Sequence, residues 1–317
     1  MSRRSVLVTG GAGFIGRHTI KPLLERGFEV HVVSRTPLDQ EQQAALRGDH
    51  DQGLLRLHRA DLHDSDTINP LLQKIRASHL LHLAWDARHG VFWNSSENLD
   101  WIVSSKLLVK AFIEAGGERI VAAGTCAEYD WESTDLRLDE KTTLIKPFSL
   151  YGQCKYAFRK SLFTVAEHHK ISAAWGRIFF LFGPHEGPKR LVSSAILSLL
   201  NGQQFEASKG DQVRDFLYVE DVAKAFVALL DSQISGDINI ASGQESSVAE
   251  VLTILGRLTG RSDLIRLGAK PKQANEPPRL VASVKRLREE VGVTFSRSLE
   301  QRLAETVEWW RAHGKEP

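Results

Sequence analysis

The chain has 317 residues, 42% apolar and 25% charged, which excludes a wholly disordered chain and predicts about two domains, or one large α/β unit with an appended lobe. Lys plus Arg number 41 against 39 Asp plus Glu, a formal charge of +2, so nothing supports a dedicated nucleic-acid binder. The two cysteines, Cys126 and Cys154, are too few for a disulfide framework or a Cys-rich zinc site, and most histidines show no ligand spacing, so no metal is expected. Val6–Val8 is too short for a signal-peptide core. No apolar run approaches the roughly 18 residues of a membrane-spanning helix. The reading is a cytoplasmic enzyme with no membrane partner.

Val6-Leu7-Val8 reads as a strand, Thr9-Gly10-Gly11 as a turn, Phe14 to Arg26 as a helix ended by Gly27, and Glu29 to Val33 as a second strand. That is a βαβ unit in about 30 residues. The alternation continues with a strand at Leu54–His58, a helix at Asp66–Arg76 and a strand at His79–Leu83. A helix follows at Leu99–Ala115, then a strand at Arg119–Ala123 and a long helix at Tyr151–His169. Repeated βα units predict an α/β fold with a doubly wound parallel sheet and helices on both faces. After Ile171–Phe182 the rhythm changes, with breaks at Gly183-Pro184 and Gly187-Pro188. Helices are expected at Leu191–Asn201, Asp221–Leu230, Val248–Leu258 and Leu299–Trp310, and a short strand at Phe216–Val219. Asn239-Ile240-Ala241 is placed to return a strand to the main sheet. The organisation expected is therefore a dinucleotide-binding domain at 1–175, joined again by 215–242, and an interleaved substrate-binding lobe at 176–214 and 243–317.

Gly10, Gly13 and Gly16 recur at three-residue spacing directly after a strand, with Phe14 and Ile15 opening the helix. Backbone N–H groups in such a turn approach a pyrophosphate at the helix N-terminus. The second strand runs into Ser34-Arg35. An NAD site usually has a carboxylate there to accept from the ribose 2′-OH. A guanidinium pairs instead with a 2′-phosphate. We read NADP(H) as the preferred cofactor and NAD(H) as the alternative, in which Arg35 merely faces solvent. Asp61-Leu62, after the third strand, is placed to meet the adenine, although Asp61 could equally cap a helix. Leu83-Ala84 ends the fourth strand beside the cofactor.

Tyr151 and Lys155 stand four residues apart and so share a helix face. A nearby ammonium favours the phenolate and lowers the phenol's pKa. Thr125, just after a strand, offers a hydroxyl to a substrate oxygen. Together the three can move a proton while a hydride moves on a nicotinamide.

These strings resemble the extended short-chain dehydrogenase/reductases, within them the nucleotide-sugar epimerases, dehydratases and reductases. The likeness spans nearly the whole chain. It rests on Val8 to Gly16, His82-Leu83-Ala84, Gly124-Thr125 with Glu128-Tyr129, Tyr151 to Lys155, Phe182-Gly183-Pro184 and Val213 to Val222. The resemblance implies Thr125, Tyr151 and Lys155 as catalytic residues, with Lys155 also on the nicotinamide ribose, and Arg214 on the substrate diphosphate. The alternative for Arg214 is an internal ion pair with Asp215 or Asp211. The resemblance also implies a homodimer through the helices Leu99–Ala115 and Tyr151–His169.

The chain departs from the family in four places. Thr125-Cys126-Ala127 stands where the 4,6-dehydratases carry Thr-Asp-Glu, and without those acids the elimination of water loses its acid and base. Phe180 stands where many relatives have an Asn touching the diphosphate. Trp85 replaces a second alanine and is expected to reshape the sugar pocket or pack in the core. Cys126 and His185 lie near the positions of a Cys and a His used by relatives that also epimerise C3 or C5. Cys126 is one residue from the catalytic hydroxyl rather than two, which in a strand reverses the face, so the bifunctional role is set aside. The expectation is an NADPH-dependent reductase acting on C4 of a nucleotide-linked 4-keto-6-deoxy sugar. The rivals are a 4-epimerase with retained NAD and a catalytically silent dinucleotide-binding regulator.

Overall fold

The computed structural model describes residues 4–48, 53–132, 137–272 and 276–314. In chain order the first half comprises β1 (Ser5–Thr9), α1 (Gly16–Glu25), β2 (Glu29–Ser34), α2 (Gln40–Arg47), β3 (Leu55–Arg59), α3 (Ser65–Ile75), β4 (His79–His82), α4 (Glu97–Glu114), β5 (Arg119–Thr125), α5 (Leu150–His169) and β6 (Ser172–Ile178). It continues with β7 (Phe180–Phe182), α6 (Leu191–Leu200), β8 (Phe205–Ala207), β9 (Val213–Arg214), β10 (Phe216–Tyr218), α7 (Val219–Asp231) and β11 (Gly236–Ile240). The chain closes with β12 (Ser246–Ser247), α8 (Val248–Thr259), β13 (Ile265–Leu267), β14 (Arg279–Leu280), α9 (Lys285–Glu289) and α10 (Leu299–His313).

Seven strands form one sheet in the order β11-β6-β5-β4-β1-β2-β3, every neighbouring pair parallel. The continuous apolar runs of β1 and β5 follow from burial on both faces. In β1, Val6 and Val8 enter one core with α1 and α7, while Leu7 enters the other with α3, α4 and α5. The order reverses direction across β1 and β4, which opens a crevice beyond the carboxyl ends of those strands, where ligands bind in this architecture. The expected return strand is β11, at the sheet edge beside β6.

A third core lies away from the sheet. Val192 and Ile196 of α6, Val251 and Leu255 of α8, and Leu303, Val307 and Trp310 of α10 pack together with Phe182 and Tyr218. Trp310 seals the last helix there, while Trp309 packs at its margin against His185 and His313. Three small sheets, β10-β7, β12-β9-β14 and β13-β8, accompany the main one. Their strands of two or three residues are too short to show a period of two, and the sequence reading passes over most of them, as it passes over α2.

Candidate active site

The glycine turn joins β1 to α1. Gly10 has φ +71°, and a Cβ there would lie 2.8 Å from the N of Ala84. A Cβ on Gly16 would collide with the Gly10 carbonyl, which Gly13 N already contacts at 2.9 Å. The turn therefore leaves its backbone bare toward the crevice, with Phe14 and Ile15 leading into α1, and it fits a dinucleotide pyrophosphate. The end of β4 is tied to it: Leu83 N donates to Thr9 O at 3.2 Å. His82 is buried between Thr9 Oγ1 (2.7 Å) and Ser105 Oγ (2.9 Å). Burial, with the charge of Lys155, pushes it down to about 3, so it is neutral.

At the far end of the crevice Ser34 closes β2 with Oγ donating to Thr36 O at 2.8 Å. Arg35 is exposed, with no hydrogen bond or ion pair among the described residues. Asp61 does not cap α3. Its Oδ1 accepts from His63 N at 3.0 Å, and Asp64 supplies the cap. Leu62 packs partly buried against the α3–α4 core.

Thr125 ends β5 and Tyr151 opens α5, whose N-cap is Ser149. The Thr125 hydroxyl accepts from Ala127 N at 3.2 Å and acts on the Tyr151 phenol in the direction that lowers its pKa. Tyr151 N donates to Trp93 O at 3.0 Å, and Phe92 meets the phenol ring edge-on at 4.8 Å. The Tyr151 phenol sits well above its ordinary value because it is buried; the Thr125 hydroxyl and the Arg190 charge oppose this only in part. This reverses the expectation of a lowered pKa: in the protein alone desolvation dominates, and Tyr151 is a neutral acid.

Lys155 is one turn further along α5. Its Nζ donates to Ala123 O at 2.9 Å and lies 4.0 Å over the Trp85 ring and 6.0 Å from that of Tyr151. Burial lowers it to about 7, against the raising effect of Glu128. Trp85 is locked by Nε1 donating to Asn98 Oδ1 at 2.8 Å. The indole is thus a wall for Lys155.

Cys126 is buried and burial pushes its thiol up to about 12. The strand-parity argument does not apply to it, because β5 stops at Thr125 and Cys126–Glu128 is a single 3₁₀ turn. His185, the other residue considered for C3 or C5 epimerisation, has its Nδ1 2.7 Å from Arg17 Nη1. Arg214 is 3% exposed. Its Nη2 donates to Glu276 Oε1 at 2.8 Å and its guanidinium lies 5.3 Å from the Phe180 ring. The internal ion pair weighed for Arg214 exists, but its partner is Glu276. Asp215 instead accepts from Ser242, Gly243 and Ala282, and Asp211 pairs with Lys272.

Sequence reasoning missed two groups, Arg190 and Arg17. Arg190 caps the cleft, with Nη2 donating to Ala87 O at 3.0 Å and its charge acting on Tyr151. Arg17 reaches from α1 over the turn to Ala12 O (2.9 Å) and His185. Glu128 faces inward to Trp175 and Arg177. The one available signal was the pair of cations Lys189-Arg190 after the second Gly-Pro break, of which Arg190 is the second.

A model of the NAD dependent epimerase/dehydratase family matches residues 6–241. The chain belongs to that family. It is thereby an enzyme of the extended short-chain dehydrogenase/reductase type, in a family of NAD-dependent nucleotide-sugar enzymes. It is 26% identical over 316 residues to UDP-glucuronic acid decarboxylase 1 of Xenopus tropicalis, covering 98% of this chain and 72% of that protein. The structure of MoeE5 with UDP-glucuronic acid and NAD is similar at TM-score 0.82 and 30% identity, covering 98% of this chain and 99% of that one. UDP-glucose 4-epimerase of Thermotoga maritima, solved with UDP-glucose, shares the fold at TM-score 0.85 and 23% identity, covering 98% and 100% of the two chains. Among the described residues no helix is long and apolar enough to cross a membrane.

Proposed function

We propose that this enzyme uses NADPH to reduce the C4 keto group of a nucleotide-linked 4-keto-6-deoxy sugar. The observation that carries the reading is the pair Cys126–Ala127 where elimination of water would need two acids. The adjoining carboxylate, Glu128, is bound to Arg177 and Trp175. Hydride and proton transfer then remain as the chemistry of the site. The free guanidinium of Arg35 favours a cofactor carrying a 2′-phosphate.

The turn at Gly10, Gly13, Phe14, Ile15 and Gly16, together with Ser34, Arg35, Asp61, Leu62, Leu83, Ala84 and Lys155, would hold the cofactor. When bound, it supplies the hydride. The Thr125 hydroxyl holds the carbonyl oxygen, and Tyr151, a neutral phenol, gives that oxygen its proton. Lys155 orients the ribose and, as an ammonium, eases the departure of the Tyr151 proton. Arg214 binds the diphosphate, which requires Glu276 to share it, and Phe180, Cys126 and Trp85 line the substrate side. On this reading 1–175 with 215–242 carries the cofactor, and 176–214 with 243–317 carries the nucleotide sugar. The enzyme works in the cytoplasm as a homodimer. On α4, Leu99, Val103 and Leu107 recur every four residues at 52%, 58% and 44% exposure, a stripe suited to pairing with a second copy.

The rival is a 4-epimerase with retained NAD, favoured by the NAD-bound relative. Purified protein mixed with NADPH and a nucleotide-linked 4-keto-6-deoxyhexose distinguishes them. Loss of NADPH in step with product supports the reductase. A non-exchanging NAD and interconversion of two 4-hydroxy sugars without added NADPH would establish the epimerase.

A further inference from the structure

Glu128 is completely buried. A carboxylate taken out of water costs several kcal/mol unless its oxygens are bound, and the fold supplies the partners. Oε1 accepts from Thr125 N and from Trp175 Nε1, both at 2.9 Å. Oε2 accepts from Arg177 Nε at 2.9 Å. The backbone makes room for it: a Cβ on Gly124 would collide with Trp175 Nε1 and stand 2.8 Å from Glu128 Oε1.

The charges continue as a ladder. Arg177 reaches Asp237 at 3.2 Å, and Arg159 of α5 grips the same Asp237 through Nε and Nη2 at 2.6 and 2.5 Å. Tyr129 accepts from Arg177 Nη1 at 3.2 Å and donates to Asn239 Oδ1 at 2.8 Å. Beyond Arg177 the charges of Asp237 and Arg159 offset each other, and the member of the ladder that acts on Lys155 is the Glu128 carboxylate. Each group around Lys155 can be assigned. His82 of β4 is neutral, and Trp85 gives only its ring face. Tyr151 is a neutral phenol that Arg190 and Cys126 also face. Glu128 Oε1 holds Thr125 N and Lys155 Nζ holds Ala123 O, both at 2.9 Å, so the two charges grip the same end of β5, and Glu128 acts on Lys155 in the direction that favours the ammonium.

We propose that Glu128 is a positioning residue of this site: it fixes the main chain at Thr125 and is the buried counter-charge that keeps Lys155 an ammonium. This rests on reading Thr125, Tyr151 and Lys155 as the proton-transfer group. It adds a member that the Thr–Tyr–Lys pattern does not contain, and it gives Gly124, Trp175 and Arg177 a common purpose.

The test is a titration of the full chain labelled with ¹³C at lysine Cε, the Lys155 signal being assigned by its loss in Lys155→Met. In Glu128→Gln the Lys155 midpoint should fall by on the order of one pH unit, a tenfold change in its proton affinity. The alkaline limb of kcat should move down with it, with KM for the sugar little changed. Because Glu128→Gln leaves Arg177 short of a partner, Glu128→Gln/Arg177→Met removes both charges together. A purely structural role predicts that the double variant regains the wild-type midpoint, whereas the proposed role predicts that the midpoint stays low. An unmoved midpoint in a folded single or double variant overturns the proposal. The titration needs no substrate. A wild type that fails to reduce a keto sugar would refute the proposed reaction and leave this arm still decisive.

Discussion

The two ends of the cleft are built from different material. At the proposed cofactor end the surface is backbone: the Gly10–Gly16 turn, which leaves no room for a Cβ at Gly10 or Gly16, with Ala84 close against Gly10. At the proposed sugar-nucleotide end it is side chains, and these are already engaged. Arg214 is held by Glu276 and lies over Phe180, and Arg190 reaches across to Ala87 O. A backbone site is determined by local residues and their order along the chain. A side-chain site depends on partners brought in from elsewhere, so substitutions at the two ends should fail in different ways.

The largest expected effect lies between the two ends. Tyr151→Phe removes the proton donor and keeps the ring against Phe92 and Trp93. General acid catalysis is worth ~10²–10⁴-fold, so kcat should fall by that order while NADPH still binds in a fluorescence titration. Retention of wild-type turnover would contradict the assignment.

Gly16→Ala tests the backbone end. Its Cβ meets the Gly10 carbonyl, so α1 has to shift, at about 1–3 kcal/mol for overpacking. Cofactor affinity should drop by roughly ten- to a hundredfold, while the affinity for a sugar nucleotide, measured by calorimetry, stays within about twofold.

Arg214→Ala tests the other end. Hydrogen bonds from a guanidinium to phosphate are worth ~1.5–3 kcal/mol. KM for the sugar nucleotide should rise by roughly 10- to 150-fold, with KM for NADPH unchanged. Glu276→Gln sharpens the point by leaving Arg214 in place without its anionic partner. Sugar-nucleotide binding should tighten a few-fold, and thermal stability should fall by a few degrees. Equal effects of Arg214→Ala on both ligands would mean a folding defect rather than a lost contact.

How much was legible in advance follows the same division. The βα alternation, the glycine turn and the Tyr151–Lys155 spacing depend on neighbours close in sequence, and they stand in the structure where they were read. The pairing of Arg214 with Glu276 joins positions 62 residues apart, so no local pattern announces it. The parity argument for Cys126 fails for a related reason. Its face was deduced from strand parity, but β5 ends one residue earlier and a 3₁₀ turn follows. The Tyr151 pKa depends on burial, which a count of nearby charges does not contain.

Two smaller effects complete the comparison. The Lys155 ammonium, lowered to about 7, is lost as pH rises through that value. The kcat/KM for the free enzyme should therefore decline on the alkaline side of about pH 7, and a flat profile to pH 9 would show that Lys155 does not act as a cation. Arg35→Asp replaces a ligand for a 2′-phosphate with a carboxylate suited to a free 2′-OH. NADPH should bind more weakly and NADH more tightly; unchanged NADPH affinity would show that Arg35 does not touch the cofactor.

The most direct test of the reaction follows the hydride. The wild-type enzyme is given NADPH deuterated at C4 of the nicotinamide, on one face and then on the other, with a nucleotide-linked 4-keto-6-deoxyhexose. One NADPH should be consumed for each sugar reduced. Deuterium from one of the two labelled faces should appear at C4 of the product, in a single configuration, because Tyr151 and the nicotinamide hold the carbonyl from fixed directions. Product that carries no deuterium, formed without loss of NADPH by a protein that keeps its own NAD, would contradict the account.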